Sequence, residues 1–120
     1  MIIRTLALVL CATSVVAAQP SERHLTNIRQ LTFGGDNAEA YWSPDGTKLA
    51  FQSNYKRWGH ACDQIHMMET AKAAGDSTYL APLISTGKGR TTCSYFMPNG
   101  SDILYASTHE SGDACPPEPA

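Results

Sequence analysis

In two stretches of this chain, each soon after a turn signal, one set of residues alternates with another: Leu49, Phe51 and Ser53 with Ala50 and Gln52, and Ile103, Tyr105 and Ser107 with Leu104 and Ala106. Period-2 alternation of β-branched, aromatic and small residues predicts half-buried strands, each with one apolar face. The turn before each strand is written as Pro44-Asp45-Gly46 and as Pro98-Asn99-Gly100. Pro presets φ for the second turn position, Asp or Asn follows, and Gly accepts a positive φ, so each stretch predicts a β-hairpin. The flanking aromatics Trp42, Phe51, Phe96 and Tyr105 complete the pattern. Two further strands are predicted, over residues 64–68 ("QIHMM") and 80–86 ("LAPLIST"), with Pro82 marking an edge or bulge. Residues 69–78 have helix-tolerant composition without an apolar stripe and are predicted as a loop.

The two hairpins are copies of one unit. At an offset of 54 residues, Tyr41, Pro44, Gly46 and Ser53 fall on Tyr95, Pro98, Gly100 and Ser107, and aromatic Trp42 and Phe51 fall on Phe96 and Tyr105. Upstream the offset is 53, with Leu31-Thr32 over Ile84-Ser85 and Gly34 over Gly87, which places a one-residue insertion in the loop before the second hairpin. A repeat of tens of residues is the signature of solenoids and propellers. Four predicted strands per unit give an all-β chain of β-propeller blades, each a four-stranded antiparallel sheet. About two blades are present of the ~4–8 that propellers use, so a larger propeller, of which this is a part, is expected. The first repeat covers residues 28–82, a partial second repeat 83–109, and a Pro-rich tail or truncated continuation 110–120.

Residues 42–53, "WSPDGTKLAFQS", resemble the WD-repeat-like blade of TolB-type β-propellers, and "FMPNGSDILYAS" is a looser copy with Met97 and Asn99 at the turn. The resemblance spans roughly residues 28–109 and implies a propeller fold. It also implies a protein-binding or assembly module of the bacterial cell envelope, with an envelope lipoprotein as partner. Related blades form the N-terminal propeller of prolyl oligopeptidase-like serine peptidases, which is the alternative expectation. The family's namesake carries a separate domain before its propeller, whereas here about ten residues separate the leader-like first 18 residues from the first repeat.

The N-terminus bears on location. Arg4, the apolar run from Leu6 to Val16 and the small residues Ala17-Ala18 read as a secretory signal peptide over residues 1–18, followed by a linker over 19–27. A periplasmic or secreted protein is expected, with no transmembrane segment after signal cleavage. Lipidation at Cys11 is rejected because bulky Leu10 precedes it. Beyond the leader, Cys62, Cys93 and Cys115 remain, and an oxidising compartment favours pairing. Cys62 with Cys93 is the preferred disulfide because both lie near predicted strands, whereas nothing periodic holds Cys115.

Charge and local motifs narrow the chemistry. A net charge of −2 gives no reason to expect nucleic acid as a partner. His60, Cys62 and His66 are ligand types for zinc or copper, but strand alternation and oxidation of Cys62 tell against a metal site, and none is expected. No cofactor is expected, and no catalytic residues are assigned, because the Gly-x-Ser-x-Gly elbow of a hydrolase is missing from the sequence. The cluster "TGKGRTT" lacks phosphate-loop spacing, and one carboxylate per turn falls short of calcium's ~6–8 oxygens.

Overall fold

A computed structural model describes residues 24–117. The expected signal peptide, Cys11 and the start of the linker lie outside the described residues, as does the end of the tail. The regular structure is mostly antiparallel sheet. Strands β1 (Asn37–Trp42), β2 (Lys48–Ser53) and β3 (Gln64–Glu69) form one sheet in the order β1-β2-β3, and β4 (Thr91–Phe96) and β5 (Ile103–Ser107) form a second. Among the described residues no helix is long and apolar enough to cross a membrane.

The repeat extends to the backbone, bond by bond. Ser43 N–H donates to Lys48 O at 2.9 Å and Gly46 N–H to Ser43 O at 2.8 Å; in the second hairpin Met97 donates to Asp102 at 2.9 Å and Gly100 to Met97 at 2.9 Å. Gly46 and Gly100 sit at φ 69° and 70°, the left-handed conformation the turns require. Asp45 Oδ1 accepts the Thr47 N–H at 3.1 Å, and Asn99 Oδ1 accepts the Ser101 N–H at 3.0 Å. At the open ends, Asn54 N–H donates to Asp36 O and Thr108 N–H to Arg90 O. Even the irregularities match. Between Ala38 and Tyr41, and between Thr92 and Tyr95, two residues face one across the ladder, and the first extra residue, Glu39 or Cys93, has a positive φ of 53° or 52°. A β-bulge sharpens the local twist and bends its strand, so both hairpins curve alike.

A close approach is also duplicated. A Cβ on Gly35 would lie 2.6 Å from Tyr55 Cβ, and one on Gly89 would lie 2.7 Å from Thr108 Oγ1 and 2.8 Å from His109 N. These positions are again 54 apart, so the inserted residue of the second repeat is Lys88, between Gly87 and Gly89.

Three expectations are corrected. Residues 80–86 do not extend into a fourth full strand: a single bridge joins His66 to Leu83, with Met67 N–H donating to Pro82 O at 3.0 Å and Ile84 N–H to Ile65 O at 2.9 Å. Pro82 has no N–H to continue a ladder. Within 69–78, Thr70–Ala73 closes one helical turn that buries Ala73. Strand β2 buries both faces rather than one, because the second hairpin lies across it.

The leading face of the first repeat carries Leu49, Phe51 and Met68, which cluster with Ala73 and Ala81, and Leu31, Trp58 and Tyr79 pack against them. Cross-strand pairs share a face, so Trp42, opposite Leu49, belongs to it too. The trailing face carries Tyr41, Ala50, Ile65 and Met67. The second hairpin packs through β4 on β1, β2 and β3, with Phe96 buried, the Tyr95 ring edge-on to Tyr41 at 5.7 Å, and Met67, Ile84, Ile103 and Tyr105 bordering a cleft between the two sheets. Removing these apolar side chains from water at about 25 cal/mol per Å² is what seats it.

Candidate functional site

The sharpest chemical cluster in the sequence, His60, Cys62 and His66, resolves into a structural arrangement. Cys62 is joined to Cys115 in a disulfide, with their Cα atoms 5.9 Å apart, and Cys93 is free and exposed. The expected Cys62–Cys93 pairing is therefore corrected. Cys93 occupies the positive-φ bulge position and is exposed there, while the tail folds back along the Lys88–Arg90 loop. That return is fixed by Gly89 N–H donating to Asp113 O at 3.0 Å and by a Lys88–Asp113 ion pair of 2.9 Å. Bound as a disulfide, Cys62 has no thiolate to offer a metal.

The two imidazoles remain neighbours, with ring centroids 5.1 Å apart. His66 is almost wholly buried, 4.6 Å from the Trp58 ring and 5.9 Å from Phe51, so it fills an aromatic position on β3. Its Nδ1 lies 3.0 Å from the Ala81 carbonyl, which can only accept, so the proton sits on Nδ1. Nε2 is left buried without a partner. Burial pushes the His66 pKa below its ordinary value, the neighbouring His60 adds to this, and the Ala81 bond opposes it. The His60 pKa is lowered by burial as well. Among the described residues no group of three or more side chains could hold a metal ion.

The turn residues Pro44, Asp45, Pro98, Asn99 and Gly100 line one recess where the tips of the two hairpins lie side by side, whereas a Cβ on Gly46 would meet open space. Asp45 is held down at about 2, first by the Ser43 hydroxyl at 2.6 Å and then by the Thr47 N–H and hydroxyl. This is a turn lock rather than a reactive carboxylate, since every oxygen contact is with its own loop.

What the fold exposes is of another kind. Beside the first repeat a groove of about 410 Å³ is floored by Leu31, Leu49, Phe51 and Met68 and bordered by β1 residues that include Asn37 and Glu39. Trp42 stands on the same face and is 57 % exposed, whereas its equivalent Phe96 is 4 % exposed. On the trailing side of the second repeat Leu104 is 66 % exposed, whereas its equivalent Ala50 is fully buried. Sequence reasoning assigned Trp42 and Phe51 to the blade scaffold and gave Leu104 no role beyond the strand pattern; the available signal was a large apolar residue where the first repeat has the small Ala50. No protein-family model matches this chain, and neither does any curated protein or solved structure with which it was compared.

Proposed function

We propose that this chain is an exported repeat protein of β-propeller type that acts by binding protein rather than by catalysis, as an assembly module of a bacterial cell envelope. The observation that carries this reading is the repeat itself, two hairpins equivalent in turn, bulge and closing bonds and packed on each other. Stacked units of one design make a composite surface from loops and open faces, which suits recognition of another protein. The leader-like N-terminus and the disulfide support export. An envelope lipoprotein is the partner that the resemblance to TolB-type repeats supplies.

The test is capture with a C-terminally tagged full chain, expressed with its leader and cross-linked in intact cells before envelope extraction. The expected result is a chain cleaved after Ala18 that enriches a lipoprotein or an outer-membrane protein. A chain that stays in the cytoplasm uncleaved, or that never enriches either class, overturns the proposal.

A further inference from the structure

Asn99 is the one asparagine of the chain that precedes a glycine; Asn27, Asn37 and Asn54 precede Ile28, Ala38 and Tyr55. It is exposed at the tip of the second hairpin, yet both polar atoms of its side chain are engaged. Oδ1 accepts the Ser101 N–H at 3.0 Å and the Asp102 N–H at 3.1 Å, and Nδ2 donates to Asp102 Oδ2 at 2.7 Å. The Gly100 N–H donates to Met97 O at 2.9 Å. The first turn has the same frame with different charges. Asp45 stands at the place of Asn99 and Lys48 at the place of Asp102, and Asp45 accepts from Ser43 and Thr47 of its own loop. An acid at 45 therefore has a base nearby, whereas an acid at 99 would meet another acid.

We propose that Asn99 is a site of spontaneous deamidation that the closed turn suppresses, and that the aspartate it produces weakens that turn. The Gly100 nitrogen attacks Asn99 Cγ, the new N–Cγ bond forms as the Cγ–Nδ2 bond breaks, and Nδ2 leaves as ammonia with the proton that Gly100 N gives up. Water then opens the cyclic imide at either carbonyl, giving Asp or its β-linked isomer, and nothing is oxidised or reduced. Glycine at 100 puts no side chain beside its own nitrogen and leaves φ 70° without strain. Inside the closed turn the amide is tied to residues 101 and 102 and Gly100 N to Met97, so attack waits on a local opening of the hairpin tip. Asp45 also precedes a glycine, but its carboxylate, held at about 2, is ionised at neutral pH and has no leaving group to expel. The product at 99 puts an oxygen in the place of Nδ2, so a donor–acceptor bond to Asp102 becomes a contact of like charges. Asp45 and Lys48 border the same recess from the first hairpin and, being of opposite sign, offset each other there.

The test follows the full chain, disulfide intact, by peptide mass mapping during incubation at mildly alkaline pH. Residue 99 should change from amide to acid, as Asp and its β-linked isomer, at least about 10-fold faster in urea than in native buffer, because the closed turn is the barrier. In urea it should also outrun Asn27, Asn37 and Asn54 by at least about 10-fold, since only its neighbour lacks a side chain. Asp102→Ala, which releases Nδ2, should speed the native reaction by about 3-fold or more and leave the rate in urea unchanged. Asn99→Asp, the product made directly, should lower the melting temperature by about 2–6 °C, and adding Asp102→Asn should recover most of that loss. Equal rates in native buffer and in urea overturn the proposal. So does an Asn99 no faster in urea than the other asparagines, or an Asn99→Asp chain as stable as the parent.

Discussion

The two repeats share one backbone and differ in what covers them. Strand β1 is exposed along nearly its whole length, whereas β4, with the same bulge and the same turn, buries its first, fourth and sixth residues. Local conformation is therefore encoded within each hairpin, and burial is conferred by the neighbour. A residue's energetic weight should follow its neighbour rather than its place in the motif.

The largest effect separates Phe96 from Trp42. Phe96→Ala should lower the unfolding free energy by about 3–5 kcal/mol, because it empties the contact between repeats. Trp42→Ala in dilute solution should cost under about 1 kcal/mol, since little packs on it within one chain. Urea denaturation of both variants checks this, and equal losses would break the comparison.

Next comes the covalent tie between the repeats. Replacing Cys62 and Cys115 together by Ala should cost about 2–4 kcal/mol, whereas Cys93→Ala should change the unfolding free energy from urea titration by about 0.5 kcal/mol or less. Gly35→Ala and Gly89→Ala probe what the repeats have in common. Each places a Cβ inside contact distance of backbone or side chain at a positive φ, and each should cost about 1–3 kcal/mol, to a similar degree in thermal melts.

Titration gives the smallest effects. Burial holds His66 below its ordinary pKa of 6.5, so the folded state favours the neutral ring. That stabilisation is complete above pH 6.5 and is lost as pH falls below it toward the depressed folded value. The urea midpoint should drop between pH 7.5 and 5.5, and His66→Phe should remove most of the drop. The two turns differ in the same way: Asp45 titrates and Asn99 does not. With Asp45 lowered from 3.8 to about 2, its contribution is present above pH 3.8 and fades as pH falls toward 2, so Asp45→Asn should flatten that limb of the acid titration.

Much of the fold was legible in the sequence because its signals were local. Pro-Asp-Gly and Pro-Asn-Gly specify turns by φ alone, and alternation specifies the strands that follow, so both hairpins and β3 lie where expected. Features set by tertiary contact left no local trace. Glu39 and Cys93 have nothing in their chemistry to announce a positive φ, and Ala50 reads as the solvent side of β2 until the second hairpin covers it. The disulfide was misassigned because proximity to strands was taken as order, while the tail that brings Cys115 to Cys62 is held by Asp113 contacts without period. His66 lies in β3, within the strand that the sequence predicts over 64–68, and its aromatic surroundings explain why an imidazole can occupy that position.

The Cys62–Cys115 bond spans 53 residues, almost one period of the repeat. Its consequence is a tether. The backbone already leads into the second hairpin at its near end, and the disulfide ties the segment beyond its far end, so the hairpin is held on both sides. If heat, denaturant or tension peels it from the first hairpin, it has less volume to wander in than a hairpin held at one end, which raises its effective concentration at its seat; a reductant would slow reseating without releasing the hairpin.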